Sequence, residues 1–87
     1  MNKEEIGSTV TQFIRKNFLF SENQTLDENS SLIGNGIIDS TGVLELICFL
    51  ESTYEITFQD DELIADNFDS IELIKSLILR KLNSNGK

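Results

Sequence analysis

Apolar residues recur along this chain in four clusters, and within each the spacing is helical rather than alternating. Ile6, Val10, Phe13, Ile14 and Phe18 fall three or four residues apart, which predicts a first amphipathic helix over about 3–17. Asn2 stands where an N-cap belongs, and Glu5, three residues on, can close a capping box. A polar, glycine-containing stretch follows from about Leu19 to Ile38. It is long for a compact domain unless it packs or functions, and Leu26, Leu32 and Ile33 are its expected anchors to the core.

The segment "GNGIIDSTGVLELICFLE", residues 34–51, opens a second helix predicted over about 40–53. Asp39 is its N-cap, Ile38 and Val43 have the spacing of a hydrophobic staple, and Ser40 becomes the first helical residue. Val43, Leu46, Ile47, Leu50 and Tyr54 share one face; Thr41, Glu45, Phe49 and Ser52 share the opposite, wet one. Leu44 and Cys48 fall at the margin, Cys48 as semi-buried filler. "QDDELI" predicts a short third helix, 59–64, with acids in its first turn where they favour the helix dipole. "FDSIELIKSLILRKL" predicts a fourth over about 70–82, capped by Asp69, with Glu72 closing the box and Phe68 stapled to Leu73. Ile71, Ile74, Ile78 and Leu82 form its stripe, and Arg80 and Lys81 suit its C-terminal end. "EITF" has no evident strand partner and reads as a loop. The expected fold is all-α, a single domain over 1–87: a small four-helix bundle with a long loop between helices one and two.

Composition narrows the chemistry. With one cysteine and no histidine in 87 residues, no internal disulfide forms and the usual zinc ligand sets cannot be assembled. Calcium spacing fails too. A loop starting at Asp27 places Gly34 late and Ile38 where a bidentate glutamate belongs. The net charge of −8 is unevenly spread: Asp39 to Glu72 contains ten acids and neither lysine nor arginine. Such a surface repels nucleic acid and anionic membrane and suits basic protein partners, or is simply a solvated face. No leader or membrane-spanning run is evident, so a soluble, cytoplasmic, monomeric protein is expected.

Ser40 is the candidate chemical handle, and the chain carries its own control in a second Asp-Ser pair, Asp69-Ser70. A serine hydroxyl needs a base to act as a nucleophile; there is no histidine, and no basic residue between Lys16 and Lys75. An autonomous hydrolase is therefore not expected, and no catalytic residue is assigned. A serine at a positive helix end can still carry an anion that another enzyme installs. Gly42, costing up to about 1 kcal/mol in a helix interior, is expected to leave room beside Ser40 for another molecule.

The stretch "NGIIDSTG" and the order of helices around it resemble the acyl carrier and peptidyl carrier proteins, as does "ITFQDDELIADNFDSIELI" in the region joining the last helices. The likeness spans most of the chain. It implies a non-catalytic shuttle in which Ser40 bears a 4′-phosphopantetheine arm derived from coenzyme A, with Asp39 as the acid before it. The arm's thiol would hold an acyl or aminoacyl cargo as a thioester, in fatty-acid or secondary-metabolite synthesis. Partners implied are a phosphopantetheinyl transferase and an adenylate-forming ligase or acyltransferase. Thr41 stands where leucine is common, and Phe49 is bulkier than the usual residue; both bear on partner choice. The expected docking face comprises Thr41, Leu44, Glu45, Cys48, Glu51 and Glu55. Glu51 and Glu55 are like charges near a helix C-terminus, where stability does not favour them. The alternative is an acidic helical adaptor that docks onto other proteins with no prosthetic group.

Overall fold

A computed structural model of the chain describes residues 2–18 and 27–85, with side chains as far as Asn83. The described residues are all-helical, with three α-helices where the sequence predicts four: α1 (Lys3–Phe18), α2 (Ser40–Tyr54) and α3 (Ile71–Asn85). The expected third helix over 59–64 is instead two separate 3-10 turns, Asp60–Glu62 and Ala65–Phe68. Between them Leu63 and Ile64 leave the helical path. The expected anchor Leu26 lies outside the described residues.

α1 starts as expected. The Asn2 side chain accepts the Glu5 N–H at 2.8 Å while Glu5 accepts the Asn2 N–H at 3.1 Å. Its Ile6, Gly7, Val10 and Ile14 face is buried, and α1 packs along α3. The inner faces of the three helices meet around Leu46, Leu50, Phe68, Ile71, Ile74 and Ile78, all fully buried. The "EITF" segment forms no strand among the described residues, yet it contributes Ile56 and Phe58 to that core. Phe58 meets Phe68 edge to face at 5.4 Å.

Two sequence expectations fail at aromatic and acidic positions of α2. Phe49 does not lie on a wet face: its ring stacks on Phe13 at 4.1 Å and 17°. Rotation about a single helix axis says nothing of an aromatic that α1 supplies. Glu51 is not idle either. Its carboxylate accepts the Phe58 N–H at 3.0 Å, and its carbonyl receives the Glu55 and Ile56 N–H groups, closing the helix. Glu55 takes the left-handed conformation at this C-cap, φ 55° and ψ 49°, which usually falls to glycine.

Ion pairs join lysines near both ends of the chain to acids elsewhere in it. Lys81 reaches Glu62 at 2.8 Å, Lys3 reaches Glu72 at 2.6 Å, and buried Lys75 reaches Glu28 at 2.8 Å and Glu72 at 3.3 Å. Lys75 fits because residue 7 is glycine: a Cβ there would lie 2.5 Å from Lys75 Cδ. The Lys81 hydrogen bond holds Glu62 below its ordinary 4.5, and the Lys3 bond chiefly does so for Glu72. The Glu28 bond holds Lys75 above its ordinary 10.5.

The signs fix the pH profile. Stability from the two lowered carboxylates is present above 4.5 and is lost as pH falls through their folded values; that from Lys75 is present below 10.5 and is lost as pH rises through its raised value. The melting temperature should hold level between those limits and drop on either side. Lys81→Met should lower it at neutral pH and flatten the acid limb, while an acid limb of unchanged slope would remove Glu62 from this account.

Candidate functional site

The α2 N-terminus is built by its cap. Asp39 is extended, φ −103° and ψ −174°, and its Oδ1 accepts the Gly42 N–H at 2.8 Å. The aspartate thus satisfies the helix start, and Ser40, the first helical residue, is exposed with its hydroxyl uncommitted to capping. Ile38 is buried just before it, as the staple spacing requires.

Ser70 is the opposite case. The expected roles of Asp69 and Ser70 are exchanged: Ser70 itself caps α3, its Oγ accepting the Leu73 N–H at 3.1 Å, and the residue is only 6% exposed. Asp69, freed from capping, turns to the preceding loop, where its carboxylate accepts from the Ser31 hydroxyl at 2.8 Å and the Ile33 N–H at 2.9 Å. Glu72 closes no box; it pairs with Lys3 and Lys75. With Ser70 as the cap, the positions a staple would use move by one from Phe68 and Leu73 to Asp69 and Ile74; Phe68 is buried and Leu73 is 46% exposed. The two dipeptides read alike because either residue of an Asp-Ser pair can cap, and a shift of one position decides which hydroxyl is left over.

Beside Ser40 lies a groove of about 270 Å³. α2 supplies Ser40, Val43, Leu44 and Ile47 to it, Ile33 comes from the loop, and Leu63, Ile64 and Ala65 form the far wall. These walls carry no charged side chain. Sequence patterning missed the far wall. "ELIAD" follows no 3.6-residue period because the helix breaks there, leaving Leu63 42% and Ile64 49% exposed.

Thr41, Leu44, Glu45 and Cys48 share one exposed face of α2, and Leu44 is 64% exposed. Cys48 is therefore not the semi-buried filler expected. Glu55 is exposed at the helix end, whereas Glu51 is half-buried and holds Phe58, so Glu51 has a structural task independent of docking. Gly42 also differs from expectation. It is buried, and a Cβ there would meet Ile38 Cγ2 and Phe18 Cε1, each at 2.9 Å, so the space it leaves is filled from within the fold rather than by an incoming molecule.

No group of three or more His, Cys, Asp or Glu side chains among the described residues is placed to hold a metal ion, and none of the described helices is long and apolar enough to cross a membrane. No protein-family model matches the chain, and no curated protein matches it.

Gly42→Ala separates helix propensity from packing. Propensity alone favours alanine by up to about 1 kcal/mol, whereas overpacking costs about 1–3 kcal/mol. Urea unfolding should show net destabilisation, and a gain in stability would mean that Phe18 and Ile38 yield freely.

Proposed function

We propose that this chain is an acyl carrier of the carrier-protein type, bearing a 4′-phosphopantetheine arm on Ser40. The observation that carries the reading is the contrast between the two serines: Ser40 is exposed on a helix start already capped by Asp39, while Ser70 is buried and spent on its own cap. Ser40 also stands at the rim of the apolar groove. When bound, the arm would supply a thiol that holds cargo as a thioester.

The chain's own residues fit that group. A phosphodiester on Ser40 Oγ would lie at the positive end of the α2 dipole, worth about 0.3–1 kcal/mol when exposed. Asp39 fixes the helix start and with it the place of the Ser40 backbone at the first turn. Val43, Ile47, Leu63 and Ile64 offer apolar surface suited to the aliphatic part of an acyl cargo. No histidine is present to turn Ser40 into a nucleophile, so the attachment and removal of cargo fall to separate enzymes. These are a phosphopantetheinyl transferase and an adenylate-forming ligase or acyltransferase. Thr41, Leu44, Glu45 and Cys48 form the core of the proposed docking face, with Glu55 at its end. Its negative field speeds encounter with basic surfaces and permits quick release.

One observation favours a second reading. Leu44, Leu63 and Ile64 form an exposed apolar patch amid acids, which suits an adaptor docking onto a basic, partly apolar protein surface without any arm.

Intact-mass measurement after incubation with coenzyme A and a phosphopantetheinyl transferase separates the two. One arm should be added to the wild-type chain and to Ser70→Ala, and none to Ser40→Ala; no addition with several transferases leaves the adaptor. Glu45→Lys should slow arm transfer several-fold at low salt with helicity unchanged, the difference shrinking as salt rises. Equal rates at low salt would remove Glu45 from the docking face.

A further inference from the structure

The two Asp-Ser pairs are joined through hydrogen bonds. Asp69 Oδ1 accepts from Ser31 Oγ at 2.8 Å and from the Ile33 N–H at 2.9 Å, Oδ2 accepts from the same hydroxyl at 2.9 Å, and the Asp69 carbonyl accepts the Leu32 N–H. Ser31 Oγ in turn accepts the Gly34 N–H at 2.7 Å. The Leu32 carbonyl then receives both the Ile37 N–H at 2.9 Å and the Ile38 N–H at 3.2 Å, immediately before Asp39 and Ser40. One acidic side chain thus gathers a loop of turns that ends at Ile38, immediately before the α2 cap Asp39.

We propose that Asp69 is a positioning residue for Ser40, acting through the 31–38 loop to set where the serine and the groove wall beside it stand; this rests on the carrier reading. The side chain has the right chemistry. Its bonds are charge-assisted and span 36 to 38 residues of sequence, so they fix a tertiary placement that the loop cannot define for itself. The loop's apex closes its own turns, Asn35 bonding the Ser31 carbonyl and Gly36 the Ile33 carbonyl, while buried Leu32 and Ile38 and the Asp69 bonds tie it to the bundle. Gly34, Asn35 and Gly36 are exposed, and Gly36 adopts φ 74°. Ile33, whose N–H Asp69 holds, is itself a groove residue.

Removal of the carboxylate should act on this loop and spare the rest. The Asp39–Gly42 cap does not involve Asp69, the Ser70–Leu73 cap uses a different side chain, and the α1–α3 core is built from other residues. A purely structural role would lower stability everywhere and leave arm transfer to the folded fraction unchanged. A positioning role lowers the turnover of transfer itself, because small misplacements of a reacting group cost up to about a hundredfold in rate.

The test combines amide hydrogen exchange with transfer kinetics on Asp69→Ala, Asp69→Asn and Ser31→Ala in the full chain. In Asp69→Ala, exchange at Ile33, Ile37 and Ile38 should quicken about tenfold or more relative to Ile74 of α3, as loss of bonds to a charged acceptor implies. With coenzyme A and transferase, kcat should fall about tenfold while KM for the chain changes little. Ser31→Ala and Asp69→Asn, which keep part of the network, should show the same pattern at smaller amplitude, and they carry the test if Asp69→Ala fails to fold. Wild-type kcat in all three variants, or exchange that quickens equally at Ile74, overturns the positioning role and leaves the carrier reading intact. If the wild-type chain accepts no arm, the carrier reading falls and takes this inference with it.

Discussion

An α-helix begins with N–H groups that have no partner in the helix, and the way each start in this chain meets that demand determines much of what surrounds it. α1 uses a reciprocal pair, Asn2 with Glu5. α2 uses the aspartate of its Asp-Ser pair, which leaves the serine exposed. α3 uses the serine, which leaves the aspartate to gather the loop leading back to α2. A one-residue difference in cap position therefore separates a displayed hydroxyl from a committed one, and turns the second pair into a support for the first.

Much of this was legible where local rules suffice. The capping box of α1, the Asp39 cap, the buried stripe of α2 and the position of Ser40 all follow from contacts within four residues, and periodicity reports those well. The misreadings share a different cause. Asp69 leaves its helix for Ser31, Phe49 leaves the wet face for Phe13, and Gly42 makes room for Phe18; each partner lies far along the chain and belongs to another element. The short third helix begins as local rules favour and stops early. Glu62 closes a capping box on the Gln59 N–H at 2.7 Å and is also held by Lys81 of α3 at 2.8 Å, and the path bends after a single turn. That bend is what exposes Leu63 and Ile64 and opens the groove.

The acidic surface and the apolar groove serve one arrangement. Like charges crowded between Asp39 and Glu72 would strain the fold if all were left to water, but Glu62 and Glu72 are paired with lysines from the flanking basic segments, and Glu51 and Asp69 hold backbone N–H groups. Glu45 stays exposed on the outer face of α2, next to the apolar patch around Leu44, and Glu55 stays exposed at the far end of the helix. Acids that shape the fold and acids free to meet a partner are thereby distinct sets, a division that composition alone does not reveal.

The proposed carrier function turns on the Ser40 hydroxyl being held out for another enzyme to use. The most direct measurement is fragmentation mass spectrometry on the chain isolated from the cells that make it. The expected result is a covalent phosphopantetheine on the peptide containing Ser40 and an unmodified Ser70. Chain that carries no adduct at Ser40 in those cells, or carries it at Ser70, would contradict it.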